Sequence, residues 1–269
     1  MDKLKKEQGT VLAQEMIATD IYSMWIETSV AQTAKPGQFI SVYTKNASKL
    51  LPRPISICEI DRSQNRLRMV YRIAGEGTAE FATYQQGDSI AILGPLGNGY
   101  PINGDEDVAG VASANQKRVF LFGGGIGIPP ILELAKQLDD NRYQKQIVVG
   151  YRDKLFLTDE LRQNGTLYIA TEDGSAGTKG NIMDAIKEHA LTADLIYACG
   201  PTPMLRAVKQ YAEENQIPAW ISMEERMACG VGACLGCVCK TKDVDEHSQV
   251  HNKRICKDGP VFLAEEVTL

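Results

Sequence analysis

Val119-Phe-Leu-Phe-Gly-Gly-Gly-Ile-Gly-Ile-Pro-Pro-Ile-Leu-Glu-Leu-Ala-Lys-Gln-Leu138 decides the architecture of this 269-residue chain. Its first four residues form a strand-sized apolar run, the glycines make a turn, and the residues from Ile131 carry a helical pattern. Strand, glycine turn and helix together open a parallel α/β sheet. Glycines at such a turn let a pyrophosphate approach the backbone, and the helix N-terminus offers unpaired N–H groups and a favourable dipole. The segment departs from Gly-x-Gly-x-x-Gly, because Pro130 stands at the third glycine and no acidic residue sits cleanly at the end of the next strand. A tight strand-to-helix turn with no ligand is the plain alternative.

Downstream, the strands Val119 to Phe122, Ile147 to Val149, Leu167 to Ala170, Leu195 to Cys199 and Ala219 to Met223 alternate with helices near 130–139, 157–163, 181–189 and 203–215. This alternation predicts a doubly wound parallel sheet over residues 118–223. Cys199-Gly-Pro-Thr-Pro-Met ends a later strand at the same carboxyl edge, where open α/β sheets bind ligands. Cys199 itself has the alternative reading of a buried strand cysteine, the commoner fate of such residues. Upstream, Phe39-Ile-Ser-Val-Tyr, Leu67-Arg-Met-Val-Tyr-Arg and Ser89-Ile-Ala-Ile-Leu are short runs broken by turn signals, the pattern of an antiparallel barrel or sandwich. We assign 1–103 to a barrel and the polar stretch 104–117 to a linker.

Near the C-terminus, Cys229, Cys234, Cys237 and Cys256 follow Cys-x4-Cys-x2-Cys, with the fourth after 18 further residues. That is the spacing of a plant-type [2Fe-2S] site. Glycines in Met227-Ala-Cys-Gly-Val-Gly-Ala-Cys-Leu-Gly-Cys let N–H groups turn toward cluster sulfides. Residues 224–269 hold too little apolar material for a core of their own, so a metal centre is expected to organise them. Cys239, two residues after Cys237, is read as a non-ligand.

Composition bounds the function. With 43% hydrophobic residues the chain can bury real cores. Its seven cysteines, an odd number concentrated in one stretch with no secretory signal, favour redox ligation over a disulfide framework. A soluble protein of a reducing, cytoplasmic compartment is expected, without a membrane partner. A net charge of −5 with scattered Lys and Arg argues against nucleic acid.

In the barrel, Arg53-Pro-Ile-Ser-Ile can pair a phosphate and hydrogen-bond a ring edge. Within Tyr71-Arg-Ile-Ala-Gly-Glu-Gly-Thr, Gly77 and Thr78 can offer donors to a second phosphate. Taken singly, these residues read as a solvated arginine and a glycine hairpin.

Together, Arg-Pro-Ile-Ser, Gly-Gly-Gly-Ile-Gly and Cys-Gly-Pro resemble the ferredoxin–NADP reductase superfamily along almost the whole chain. Glu224-Glu-Arg-Met-Ala-Cys-Gly-Val-Gly-Ala-Cys-Leu-Gly-Cys-Val-Cys and Cys256-Lys-Asp-Gly-Pro-Val-Phe narrow the resemblance to the electron-transfer subunits of NAD-dependent, class 1B dihydroorotate dehydrogenases. The resemblance implies that Arg53, Pro54, Ile55 and Ser56 contact FAD and its phosphates, with Val70, Tyr71 and Arg72 beside it and Gly77 and Thr78 at the pyrophosphate. It implies that Gly123, Gly124, Gly125, Ile126, Gly127, Cys199, Gly200 and Pro201 line the site of NAD+, and that the four cysteines hold the cluster. It also implies an FMN-containing catalytic partner subunit, two copies of each in the complex, and a place in pyrimidine biosynthesis. No side-chain acid or base is expected in this chain. Nicotinamide takes a hydride while the cluster passes single electrons, so a flavin is needed between them. The loop from Cys237 to Cys256 is longer than the family leads one to expect.

Two other readings compete. A flavin and iron–sulfur subunit of a ferredoxin-linked NADH/NADPH transhydrogenase or sulfide dehydrogenase shares this layout, but tends to carry aspartate where Cys229 stands. A zinc-stabilised interaction subunit is suggested by Cys234-x2-Cys237 followed by His247-x3-His251, with a gap shorter than zinc sites favour and with Cys229 and Cys256 left unused.

Overall fold

The computed structural model describes residues 4–102, 116–242, 244 and 250–269. Most of the stretch assigned as a linker, and His247, lie outside these residues. Six antiparallel strands come first: β1 (Lys5–Ala18), β2 (Ile21–Glu27), β3 (Phe39–Tyr43), β4 (Arg53–Asp61), β5 (Arg66–Arg72) and β6 (Ser89–Leu96), with a one-and-a-half-turn helix α1 (Glu76–Phe81) between the last two. They close into a barrel in the order β1-β2-β5-β4-β3-β6. Barrel, not sandwich, is thus the solution, and closure leaves no unpaired edge. Its interior is built from the inward-facing residues of every strand, among them Met24, Ile26, Ile40, Val42, Leu67, Met69, Tyr71 and Ile92. Each such fully buried aliphatic side chain stabilises the fold by about 1.5–3 kcal/mol.

The second layer system follows as β7 (Lys117–Gly124), α2 (Ile128–Gln137), β8 (Tyr143–Tyr151), α3 (Thr158–Arg162), β9 (Thr166–Thr171), β10 (Thr178–Lys179), α4 (Ile182–Glu188), β11 (Leu195–Cys199), α5 (Thr202–Asn215) and β12 (Ala219–Ser222). The strand order is β10-β9-β8-β7-β11-β12, all parallel. Alternation along β7 explains the layering. Val119 and Leu121 face α2 and α3, while Phe120 and Phe122 face α4 and α5. Ile21, Cys58, Val70 and Tyr100 of the barrel region join the α2 side, so barrel and sheet share one core.

The cysteine segment adds a hairpin of β13 (Val238–Lys240) and β14 (Asn252–Arg254), then β15 (Val261–Leu263). β15 pairs antiparallel with β12 and completes the seven-stranded sheet. A division of the chain at residue 223 therefore separates β15 from the sheet that it extends. Apolar Val261 and Phe262 are buried there, which gives the segment anchorage that its own small size cannot supply. Asn98, just past β6, clasps it further. Its N–H donates to Gly259 O at 2.6 Å, its Nδ2 to Val261 O at 2.8 Å, and its Oδ1 accepts from Val261 N at 3.0 Å. Among the described residues no helix is long and apolar enough to cross a membrane.

Candidate functional site

The sheet runs from β7 outward in both directions, so its order reverses between β7 and β11. Crevices at such switch points, outside the carboxyl ends of the strands, are where open α/β sheets take ligands. Both candidate nucleotide segments lie there. After β7, Gly125–Gly127 form a single 3-10 turn into α2, with Gly125 at φ +53°, a conformation glycine adopts without strain. Gly127 packs against the end of β11 so closely that a methyl on it would fall 2.5 Å from Cys199 C and 2.6 Å from Gly200 N. Gly124 and Gly200 both face Met204, and a methyl on either would lie 2.5 Å from it.

These glycines thus serve loop-against-loop packing, the plain reading of the motif, as well as leaving the backbone bare. Gly125 differs, because the space beside it is open except for Arg72 Nη2 at 3.8 Å from a methyl there. Cys199 is fully buried, with Ser222 against its thiol, and burial drives its ionisation far above the ordinary thiol range. Its contribution to a ligand site is confined to its backbone, while Pro201 at the start of α5 is exposed.

Sequence reasoning gave no role to Glu224, which follows β12 at this same edge. Crowding by surrounding protein raises its carboxyl above the usual range, partly offset by Arg72, although the side chain keeps contact with solvent. Its influence also reaches Cys199 and Tyr100. Arg72, Gly125 and Glu224 therefore bring barrel, nucleotide turn and cysteine segment to one place. The only signal in the sequence was the position of Glu224 at the head of the cysteine motif.

On the barrel, Arg53, Pro54, Ile55 and Ser56 lie extended on β4, partly exposed. Gly75 precedes α1, so the stretch that alone reads as a hairpin is a helix start. Thr78 Oγ1 accepts from Ala74 N at 2.8 Å and donates to Gly75 O, locking that turn. Gly77 lies directly under Arg53, and a methyl on it would collide with the guanidinium, 2.7 Å from Nη2. The arginine and the glycine turn, 24 residues apart in the chain, thus form one cationic cradle with bare backbone beside it. Val70 and Tyr71 are buried, Tyr71 inside the barrel where its hydroxyl donates to Gln14 Oε1 at 2.8 Å. Only their backbones can reach a flavin, whereas the Arg72 side chain is exposed.

The cysteine loop turns on Gly230 and Gly232, both at positive φ. Its N–H groups point at sulfur: Val231 N and Ala233 N donate to Cys229 Sγ at 3.4 and 3.3 Å, Gly232 N to Cys256 Sγ at 3.1 Å, and Gly236 N to Cys234 Sγ at 3.4 Å. Desolvation opposes ionisation of Cys229, but the Val231, Cys234 and Ala233 donors outweigh it and pull the thiol down to about 6. Burial and the neighbouring Cys237 push Cys256 up to about 12.

The thiols meet in two pairs, Cys229 with Cys234 and Cys237 with Cys256. Among the described residues no three His, Cys, Asp or Glu side chains converge as ligands of one ion. A two-plus-two set of soft donors ringed by N–H groups fits a centre of two irons. Cys239 Sγ donates to Lys253 O at 3.5 Å, and His251 Nδ1 lies 2.9 Å from Lys242 O.

Residues 224–268 match the family described as the iron-sulfur cluster binding domain of dihydroorotate dehydrogenase B. The whole chain is similar to proteins named dihydroorotate dehydrogenase B (NAD(+)), electron transfer subunit. The one from Geobacillus sp. (strain WCH70) is 42% identical, over 99% of this chain and 100% of the relative. The one from Fusobacterium nucleatum is 41% identical, again over 99% and 100%. Among solved structures, an NADH-dependent reduced ferredoxin-NADP oxidoreductase superposes with a TM-score of 0.82 at 29% identity, covering 97% of this chain and 89% of its own. A ferredoxin NADP+ reductase from Neisseria gonorrhoeae shares the fold at a TM-score of 0.61 and 17% identity, over 79% of this chain and 92% of its own. The barrel, the doubly wound sheet and the four-cysteine segment are thus one inherited set, and the chain belongs to the family of electron-transfer subunits of NAD-dependent dihydroorotate dehydrogenase B.

Proposed function

We propose that this chain is the electron-transfer subunit of an NAD-dependent dihydroorotate dehydrogenase, delivering to NAD+ the electrons released when a catalytic partner oxidises dihydroorotate in pyrimidine biosynthesis. The observation that carries this reading is the seating of the cysteine loop on the barrel beside the Arg53–Ser56 strand. Ser41 of β3 pairs in register with Pro54, and Gly230 packs against Ser41. When bound, FAD and a [2Fe-2S] cluster supply conversion between single electrons and a hydride, which no side chain can perform.

The chain's own residues bind and orient. Arg53 supplies positive charge to the flavin phosphates, Ser56 a hydroxyl beside the ring, and the Gly77–Thr78 turn bare N–H groups. Val70, Tyr71 and Arg72 border the flavin, the first two through backbone alone. The turn of Gly123, Gly124, Gly125, Ile126 and Gly127, with Cys199, Gly200 and Pro201, receives the nicotinamide nucleotide. Cys229, Cys234, Cys237 and Cys256 hold the cluster, shielded by the loop amides. The partner is an FMN-containing catalytic subunit, two copies of each chain forming a symmetric complex. Arg152, exposed beyond β8, is a cation that a 2′-phosphate would meet there, so rates with NADH and NADPH test the choice of nucleotide.

The likeness to the NADH-dependent reduced ferredoxin-NADP oxidoreductase favours a second reading, a subunit of a ferredoxin-linked transhydrogenase. One experiment separates the two. The chain is co-purified anaerobically with its FMN subunit, and absorption is followed on adding dihydroorotate and then NAD+. Bleaching by dihydroorotate that NAD+ reverses is expected. A fully loaded complex that stays oxidised with dihydroorotate yet bleaches with NADH refutes the pyrimidine assignment. Zinc without labile sulfide refutes the cluster.

A further inference from the structure

Ser41 is 1% exposed, and its Oγ is a buried polar atom with no hydrogen-bond partner among the described residues. Native proteins rarely leave a buried hydroxyl unpaired, so such an atom marks a missing partner. The strand pattern shows on which side that partner lies. Ile40 and Val42 point into the barrel core, so Phe39 and Ser41 point outward. Phe39 enters the cluster of buried residues that contains Cys237, Cys256 and Phe262. Ser41 thus faces the cysteine segment, and a methyl on Gly230 would fall 2.9 Å from its Oγ. Gly230 follows Cys229 and holds φ +70°, so glycine here both makes the turn and lets the loop reach the hydroxyl.

We propose that Ser41 donates a hydrogen bond to the sulfur face of the cluster at the Cys229–Gly230 turn, seating the loop on the barrel and raising the cluster's reduction potential. The inference rests on the assignment of the four cysteines to a [2Fe-2S] centre. Reduction adds one electron, and hence one negative charge, to a centre already anionic from its thiolates. A donor in a dry contact therefore favours the reduced form over the oxidised one. Ser41 is a positioning residue, since the loop amides remain the main donors.

The test uses the full, cofactor-loaded chain in complex with its catalytic subunit. Iron and labile sulfide in the unmodified protein come first, and their absence would sink the cysteine assignment rather than the role of Ser41. EPR-monitored titration of Ser41→Ala is then expected to show about a tenfold fall in the one-electron equilibrium constant of the cluster, ~59 mV, with the flavin potential unmoved. The near-isosteric pair Ser41→Thr and Ser41→Val separates hydroxyl from volume. Threonine keeps the wild-type potential and valine follows alanine. Equal potentials in the threonine and valine variants, or a shift confined to the flavin, overturn the proposal. Where a variant sheds its cluster, retention in threonine but not in valine supports the hydroxyl, and equal loss refutes it.

Discussion

Gly127→Ala is the sharpest probe of the nucleotide crevice. A methyl at this position would lie 2.5 Å from Cys199 C and 2.6 Å from Gly200 N, and closer still to Cys199 O. Carbon contacts settle at about 3.5–4.0 Å, so one loop has to retreat by roughly 1 Å. No rotamer change relieves the clash, because every atom struck is backbone. Overpacking of this kind costs about 1–3 kcal/mol, which for a domain of this size lowers the melting temperature by roughly 3–10 °C. The same displacement opens the crevice between the turn after β7 and the turn after β11. A misplacement of about 1 Å can cost up to 10²-fold in rate, so kcat/KM for NADH is expected to fall about 10–100-fold. The assay is NADH oxidation by the loaded complex with ferricyanide as acceptor, with flavin and iron content measured alongside. Both contents stay at wild-type level, since Arg53 and the cysteines lie elsewhere. A variant within twofold of wild type in kcat/KM and within about 1 °C in melting would refute the argument that the two turns are packed to contact and that nucleotide binds between them.

Gly77→Ala displaces the Arg53 guanidinium, a flexible group, so folding is spared while FAD affinity falls about tenfold, one lost charge-assisted contact; fluorescence of FAD released on dilution measures it. Cys229→Ser abolishes the cluster absorption bands, whereas Cys239→Ser leaves them intact, because Cys239 faces Lys253 O; equal spectra would refute the ligand set. Glu133 of α2, 3% exposed, accepts from Ile60 N and Gln137 and faces Lys136 and Glu59, and burial raises its carboxyl from 4.5 to about 7. The folded state holds this proton more tightly than the unfolded state, so its contribution to stability is full below about 4.5 and is lost as pH rises through about 7. Glu133→Gln is expected to remove that decline, roughly 3 kcal/mol, and parallel pH–stability curves for the two proteins would contradict it.

Much of the fold was legible because local pattern and tertiary role coincide. Phe39–Tyr43 and Leu195–Cys199 are strands with the bounds their apolar runs suggest, and the parallel sheet follows from strand and helix alternation. What escaped depended on distant partners. The 14-residue β1 is too polar along its length to stand out, and is held by pairing with β2 and β6. The start of α1 at Gly75 reads as a hairpin until Thr78 is seen to lock it. β15 is a three-residue strand whose identity comes from β12.

At the site, the four-cysteine segment was legible because its spacing is local in the chain, and residues 224–268 match an iron-sulfur cluster binding domain. The Arg53–Gly77 cradle, the Gly127–Cys199 contact and the place of Ser41 were not, because each joins segments far apart in sequence. The burial of Tyr71 and Cys199 shows the converse. A residue can lie in a recognised motif and offer a ligand nothing but its backbone.

The pairing of β15 with β12 bears on how such a protein fails. Without residues 261–263, β12 would end the sheet with a row of unpaired N–H and C=O groups, a template on which another molecule's strand can add. The segment that binds metal thus also guards an open flank, and being only three residues long it makes a poor template itself. Oxidative stripping of the metal, by loosening that guard, would turn a defect in colour into a defect in solubility, with aggregates growing through the nucleotide half of the molecule rather than through its barrel.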